Sequence, residues 1–264
     1  MAETVVLSGS SLNTYLRCAR QWELAYVQRM NRPPSLKMAL GTAGHWAAEV
    51  DLRPKIETRE DLPLDVVLDA FRDSFVKETV DSPEVPDKKE TRPLMLDSGI
   101  EAMKVWHGQV APTIQPIMIE EPVQFMLTVS SRQGETNIPW TGTVDCVDEG
   151  IIVRDWKFVG KKPDPRSGDY ILNMVGYTIG YRELTGGLEN GFVLDHVVRT
   201  KTPYHFPVIQ EGPVPDESIM SFAGIAESVY NSIGAGSFPP TGLKSGACSW
   251  CGYKRECGYY QGPK

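Results

Sequence analysis

The sequence has few of the features that mark membrane or secreted proteins. No apolar run approaches the roughly 18 residues that a membrane-spanning helix needs. The first four residues, Met1-Ala2-Glu3-Thr4, lack the basic segment of a secretion signal, so we expect a cytoplasmic protein that does not bind membranes. The chain has five cysteines, and an odd number without a secretion signal argues against a disulfide framework. With 41% hydrophobic and 23% charged residues, the composition is that of an ordinary globular protein.

Basic residues are fewer than acidic ones: 27 Lys and Arg stand against 34 Asp and Glu, which gives a net charge of −7. The acidic excess lies in one stretch, because residues 49–101 hold 15 acidic and 8 basic side chains, a balance of −7 by themselves. The remainder of the chain is therefore neutral, and basic residues cluster within residues 1–40 and 161–166. This distribution is compatible with a local basic track for a phosphate backbone.

The stretch from Gly142 to Lys157 predicts two short strands joined by a turn at residues 148–150. Because side chains alternate along a strand, Asp155 and Lys157 should share a face. If the two strands pair, Asp145 converges with Asp155, and a hard divalent cation such as Mg²⁺ would relieve the repulsion between the carboxylates. A lysine beside such a cation can hold a water or stabilise charge on a phosphate. A surface hairpin with solvated charges is the alternative.

Helical patterns precede this hairpin. The spacing of apolar residues predicts one amphipathic helix over residues 8–29, a second from about residue 42 to 52, and an acidic helical insertion over residues 53–112. On the second helix His45 and Glu49 are four residues apart and share a face. By itself this pair favours a partly buried histidine bonded to its neighbour.

Three of the cysteines form the pattern Cys248-x₂-Cys251-x₅-Cys257 near the C-terminus. Three thiolates at such short spacing are costly without a metal. Cys18 is the plausible fourth ligand, because Cys146 lies inside a predicted strand. A site of four cysteines suits zinc or an iron–sulfur cluster, and the spacing alone does not separate the two. One distant cysteine with a triplet is more typical of cluster ligation.

Six motifs follow one another along the chain. They are Ser-x-Leu-x-x-Tyr-x-x-Cys (Ser10 to Cys18), Gly-x-x-x-His (Gly41 to His45), Gly-x-x-Asp (Gly142 to Asp145), Asp-x-Lys (Asp155 to Lys157), Asn-x-x-x-Tyr (Asn173 to Tyr177) and the cysteine triplet. In this order they resemble the RecB-like branch of the PD-(D/E)XK nuclease superfamily. The resemblance is strongest to the iron–sulfur exonucleases associated with CRISPR adaptation and to the nuclease domain of AddB. It covers residues 8–257 and rests on order and spacing rather than on any single motif.

The resemblance implies an α/β fold with a restriction-endonuclease-like core, in which a mixed central sheet over about residues 117–200 is flanked by helices. It also implies a metal site and a catalytic set. By analogy with that family, the metal ligands would be His45, Asp145, Asp155 and the carbonyl of Trp156, and the catalytic residues would be Asp145, Asp155 and Lys157.

The same resemblance assigns the remaining motifs. Asn173 and Tyr177 would contact DNA, and Glu120 or Glu121 would match a glutamate that often precedes the first aspartate. A 4Fe–4S cluster would be held by Cys18, Cys248, Cys251 and Cys257. It would link the N-terminal helix to the C-terminal tail.

Three positions depart from the family pattern without removing a proposed metal ligand. Ala19 follows the first cysteine, where proline is common. Asn173 stands where glutamine is usual, so its side chain reaches one methylene less far. Asp155 replaces the more frequent glutamate, which the superfamily tolerates. We therefore expect an active enzyme.

We expect a single nuclease domain over residues 1–264, divided into an N-terminal helix with the first cysteine (1–40), a helical part (41–115), a nuclease core (116–205) and a C-terminal helix with the cysteine tail (206–264). The expected function is a Mg²⁺- or Mn²⁺-dependent DNA exonuclease with a structural 4Fe–4S cluster. One alternative is a non-catalytic protein of the same fold that binds DNA ends, or binds proteins of recombination or CRISPR adaptation. Another is a zinc-stapled protein with a different activity.

Overall fold

The computed structural model of the chain describes residues 5–30, 32–80, 90–131, 134–164 and 168–260. Two features discussed for the sequence lie outside these described residues. They are the N-terminal residues 1–4 and Arg166, which belongs to the basic cluster at residues 161–166. No helix among the described residues is long and apolar enough to cross a membrane.

A five-stranded mixed sheet forms the centre of the fold. Its strands are β1 (Pro116–Ser131), β2 (Gly134–Asp148), β3 (Ile152–Val159), β4 (Gly191–Val198) and β5 (Tyr204–Glu211). They lie in the order β1-β2-β3-β4-β5; β3 and β4 are parallel, and every other neighbouring pair is antiparallel. The parallel pair requires a crossover, which the helix between them supplies. The predicted α/β fold with a mixed sheet is confirmed.

Eight α-helices lie among the described residues. They are α1 (Gly9–Arg17), α2 (Ala19–Trp22), α3 (Leu36–Thr58), α4 (Leu64–Thr79), α5 (Arg92–Val105), α6 (Gly168–Thr185), α7 (Asp216–Gly234) and α8 (Gly242–Ser245). π-helical turns follow α2 (Glu23–Val27) and α5 (Trp106–Val110), and short 3₁₀ turns cover Ala111–Thr113 and Ala247–Trp250.

The sheet separates two hydrophobic cores. On one face, side chains of α1, α6 and α7 pack with the sheet around Trp140 and Phe222, whose rings meet edge to face at 5.0 Å. On the other face, α3, α4 and α5 pack around Phe71, Trp106 and Trp156. Helices therefore cover both faces, as a sheet with a parallel pair requires.

The helix predicted over residues 8–29 is interrupted, and the prediction of one continuous helix was wrong. α1 ends at Arg17, Cys18 is extended (φ −162°, ψ 107°), and α2 begins at Ala19. The apolar spacing continues across this break, so periodicity does not reveal it. The break matters for chemistry, because it gives Cys18 a backbone conformation unlike that of the helices on either side.

The second helix is longer than predicted. α3 runs from Leu36 to Thr58 and contains Pro54, whereas the sequence suggested an end near residue 52. Its start is fixed by Ser35, whose hydroxyl accepts a hydrogen bond from the Met38 N–H at 3.3 Å. Packing of the buried face of α3 against α4 and the sheet outweighs the hydrogen bond that a proline cannot donate.

The sheet extends beyond residue 200, where its predicted range ended, because β5 adds a further strand. This strand pairs with β4 along its whole length, and Pro207 lies opposite Asp195 in the pairing. Proline lacks the N–H of a sheet hydrogen bond, which masks a strand in the sequence, but an edge strand tolerates it.

Two glycines of α3 predict opposite effects on stability. A Cβ added to Gly44 would lie 2.3 Å from Cε2 of Phe158, whereas a Cβ at Gly41 would meet nothing within 4 Å. We expect Gly44→Ala to lower the free energy of unfolding by about 1–3 kcal/mol, because the helix must move off the sheet. Gly41→Ala should raise it by roughly 0.5–1 kcal/mol. Urea unfolding of both variants measures the difference, and equal effects would contradict the close approach of α3 to β3.

Candidate active site

Three potential metal-binding side chains meet beside the sheet. His45 comes from α3, Asp145 from β2 and Asp155 from β3, and one ligand atom of each lies within 4.8 Å of the other two. Nδ1 of His45 is 3.1 Å from Oδ2 of Asp145. Among the described residues, no other group of three or more His, Cys, Asp or Glu side chains comes this close. The helix and the two strands thus bring together the histidine and both aspartates that the sequence singled out.

Lys157 lies next to this group on β3. Its Nζ donates a hydrogen bond to Oδ1 of Asp155 at 2.5 Å, so the two side chains share a face as alternation requires. The side chain between them, Trp156, points the other way and is fully buried, with its ring 5.8 Å from that of Trp106. The indole therefore anchors β3 in one core while the charged side chains face the site.

Burial sets the protonation of the group. It raises the pKa of Asp155 to about 8, with Lys157 opposing the shift and Asp145 adding to it. Burial, and then Lys157, lower the pKa of His45 to about 4. The imidazole is therefore neutral near pH 7 and has a lone pair for a metal. Asp155, in contrast, holds a proton that an incoming cation must displace.

Two buried oxygens at the site lack a well-directed hydrogen bond from the other described residues. They are Oδ2 of Asp145, which has Nδ1 of His45 3.1 Å away, and Oδ2 of Asp155. Poorly satisfied buried polar atoms cost free energy. A divalent cation with carboxylate and imidazole ligands would satisfy both oxygens. The residues present therefore fit such a cation.

The pKa of Asp155 predicts that cation binding depends on pH. Below about pH 8 each bound cation must release about one proton, so the apparent affinity for Mn²⁺ should rise roughly tenfold per pH unit and level off above pH 8. The neutral His45 adds no proton above about pH 5. Titration calorimetry in two buffers of different ionisation enthalpy measures both the affinity and the protons released. An affinity that is constant between about pH 6 and pH 8 would contradict this prediction.

The same shift has a consequence for the cation-free protein. The folded state holds the Asp155 proton more tightly than the unfolded chain, where the pKa is near 4. The stabilisation by this protonated carboxyl is fully present below about pH 4 and is lost as the pH rises towards 8.

Glu120 lies at the same site and has a strained backbone. Its φ is +50°, a left-handed conformation that costs a non-glycine residue free energy. The strain coincides with a change of face along β1, because Ile119 packs in the core beside α3 whereas Val123 packs in the core beside α6. Burial, and then Asp145 and Glu49, raise the pKa of Glu120 to about 8. Asp145 is thus among the electrostatic neighbours of Glu120, one of the two glutamates left open by the sequence.

Tyr177 and Asn173 lie on α6. Burial raises the pKa of Tyr177, and Asp155 and then Asp145 raise it further, so its ring lies near the carboxylates. Oδ1 of Asn173 accepts a hydrogen bond at 2.9 Å from Nδ2 of Asn13 on α1. A Cβ on Gly9 would lie 2.5 Å from the same oxygen, so a glycine permits this contact. Asn13 was not predicted as part of the site, since no local signal in the sequence distinguishes it.

Four of the five cysteines come together elsewhere. They line one cavity between the N-terminal helices and the C-terminal tail: Cys18, Cys248, Cys251 and Cys257. A Cβ on Gly242 would lie 3.2 Å from Sγ of Cys18 and 3.3 Å from Sγ of Cys248, so glycine leaves the space between these sulfurs open. Cys146, as predicted, is buried in the core and apart from this cavity.

Contacts outside the cavity also hold the tail. Tyr253 donates a hydrogen bond from its hydroxyl to the Met30 carbonyl at 3.1 Å, and Arg32 forms an ion pair with Glu256. The Arg17 guanidinium stacks 5.0 Å from the ring centre of Trp250.

Comparison with known proteins identifies a family whose sequence profile matches this chain. The sequence profile of the PD-(D/E)XK nuclease superfamily matches residues 6–258. No curated protein matches the chain in sequence.

Solved structures add information about the fold. A protein from Eubacterium rectale, named as a candidate exonuclease, superposes with a TM-score of 0.61 at 12% identity, over 98% of this chain and 90% of its own. At this identity the similarity concerns the fold alone. The protein SSO0001 has a TM-score of 0.39 at 11% identity, over 92% of this chain and 94% of its own, and supports no conclusion about this chain.

Proposed function

The chain belongs to the PD-(D/E)XK nuclease superfamily, and on this premise we propose that it is a metal-dependent exonuclease that hydrolyses phosphodiester bonds of DNA. The observation that carries the proposal is the convergence of His45, Asp145 and Asp155, with Lys157 bonded to Asp155. We propose further that it is a RecB-like member, which the order of its motifs supports.

Each residue of the site has a proposed role. His45, Asp145, Asp155 and the carbonyl of Trp156 would hold Mg²⁺ or Mn²⁺, which when bound activates a water and offsets charge on the scissile phosphate. Lys157, whose Nζ lies 2.5 Å from Oδ1 of Asp155, would orient the water or bond a phosphate oxygen. The buried site excludes most solvent, which strengthens both interactions.

Asn173 and Tyr177 are the proposed DNA contacts. Because Asn13 bonds the carbonyl oxygen of the Asn173 amide, the amide NH₂ is the group left to donate towards a phosphate. The shorter side chain of asparagine is thereby held in one orientation. The hydroxyl of Tyr177, near the carboxylates, would donate to the same strand.

A structural 4Fe–4S cluster is proposed for the four-cysteine cavity. The four cysteines line one cavity, which gives a metal centre four thiolate ligands. One distant cysteine with a triplet of closely spaced cysteines supports a cluster rather than zinc. With all four ligands from the protein, such a cluster has no open position and serves to join the two ends of a single domain over residues 1–264.

The proposed partners follow from the activity. DNA, as single strands or as duplex ends, is the proposed substrate, and proteins of recombination or CRISPR adaptation are the proposed protein partners. The motif order supports the protein partners only through the family resemblance.

Digestion of linear DNA tests the proposal. Protein purified without oxygen should shorten end-labelled linear DNA with Mg²⁺ or Mn²⁺, leave a covalently closed circle intact, and lose its activity with EDTA. Asp145→Asn is the variant expected to be inactive, and Glu183→Gln, on the exposed face of α6, is the matched acidic control. Binding of DNA ends without cleavage under every divalent cation would replace this proposal with a DNA-binding function.

A further inference from the structure

Trp46 is a large aromatic side chain on α3, one residue after His45 of the candidate metal site. Of its surface, 48% is accessible to solvent. Next to Trp46 the buried face of the same helix carries small residues, Ala43, Gly44 and Ala47, while its buried leucines lie at other turns. At this turn the helix therefore packs small side chains inward and turns its largest side chain outward, the reverse of the usual arrangement.

The position of Trp46 is rigid. The contact between Gly44 and Phe158 holds α3 on β3, and His45 lies at 3.1 Å from Asp145. Because Trp46 is the next residue of this helix, its backbone cannot move without displacing His45. Thr42 and Met38, one and two turns earlier, are also exposed and continue the same ridge of α3.

A flat apolar surface beside a phosphate-hydrolysing site suits one part of a nucleic acid, the face of a base. Bases within a duplex already stack on their neighbours, so an exposed ring at this position can reach only an unpaired base. We propose, resting on the nuclease function above, that Trp46 stacks on an unpaired base next to the scissile phosphate. The substrate is then a single strand or a frayed end, and Trp46 determines this preference.

Binding and substrate variants test the proposal together. Single-stranded oligonucleotides of about twelve nucleotides, each with one abasic site at a different position, are titrated with protein in EDTA so that binding is measured without cleavage. Trp46→Ala should weaken binding by roughly 5- to 150-fold, the range expected for loss of one stacked base, and Trp46→Phe should largely restore it. Trp250→Ala is the matched control, because Trp250 is 61% exposed but stacks with Arg17 beside the cysteines.

The decisive result is non-additivity. At one abasic position the wild type should lose as much affinity as Trp46→Ala does, and Trp46→Ala should lose nothing more at that position. With Mg²⁺, KM for single-stranded DNA should rise in Trp46→Ala more than kcat falls, and 2-aminopurine at the same position should be quenched by the wild type but not by the variant.

Three results would overturn the proposal: unchanged affinity of Trp46→Ala, abasic losses that add to the loss from Trp46→Ala, or a wild type that binds only duplex DNA. The affinities of the wild type and Trp46→Ala for intact and abasic oligonucleotides are measured in EDTA, without catalysis. They therefore test this proposal separately from the nuclease function. A wild type that binds with the expected non-additivity but never cuts would overturn the nuclease function, whereas the stacking of Trp46 on an unpaired base would stand.

Discussion

Replacing Asp155 by asparagine is expected to abolish DNA cleavage and, at the same time, to stabilise the cation-free protein. Asparagine has the size of aspartate but cannot supply the negative charge that a divalent cation requires, so activity should fall by roughly a thousandfold or more, to background. The stability should change in the opposite direction above about pH 8. There the wild type carries a buried carboxylate whose pKa burial has raised, and the amide removes that charge. We expect a gain on the order of 1–3 kcal/mol.

Lys157→Ala is the contrasting variant. It keeps both carboxylates, so it should still bind Mn²⁺, but it removes the donor to Asp155 and should lower cleavage by roughly a hundred- to a thousandfold. Without cation it should be less stable than the wild type, because Asp155 is left buried without its partner. Initial rates with saturating Mn²⁺ and urea unfolding at about pH 8.5 measure both properties. Equal losses of stability in the two variants would mean that the lost activity reports unfolding rather than loss of the site.

The sequence supported the centre of the site because the physics there is local. Alternation along one strand places Asp155 and Lys157 on a common face, and the glycine and acidic residues between the strands favour a tight turn. His45 is different, since spacing on its own helix favours a structural role. Only the order of all six motifs, as in a known family, indicated that a residue a hundred positions earlier would meet Asp145.

The remaining features depend on contacts between distant parts of the chain. The break at Cys18 leaves the apolar periodicity intact, so no helical pattern reveals it. The strained conformation of Glu120 needs the surrounding sheet to hold it, and a glutamate gives no local indication of a positive φ. Strand β5 is masked by Pro207, and the bond between Asn13 and Asn173 joins residues 160 positions apart. Each of these could be predicted only from a tertiary arrangement that was not yet known.

Replacing Cys18 by serine is expected to remove the cluster and to release the C-terminal tail. Cys18 is the one cysteine of the cavity that comes from the N-terminal part of the chain, so its loss cuts the proposed link between the two ends. In a chain-entropy description, a cross-link that closes a loop of this length raises the free energy of unfolding by about 5 kcal/mol. The variant should lose the brown colour and visible absorbance of the anaerobic protein, and trypsin should cleave the tail at Lys254 or Arg255 far faster.

Cys146→Ala is the matched control, because Cys146 is also buried but lies in the core beside α3 rather than in the cavity. It should keep the colour and lose only about 1 kcal/mol for the small space it leaves. The contacts of Tyr253 with Met30 and of Arg32 with Glu256 remain in Cys18→Ser, so the tail should loosen rather than detach completely. Since the nuclease site draws its ligands from α3, β2 and β3, folded Cys18→Ser should still cut DNA. A colourless wild type that contains one zinc per chain would instead assign the cavity to zinc, and loss of both colour and cleavage in Cys18→Ser at full folding would show that the cysteines act beyond a structural role.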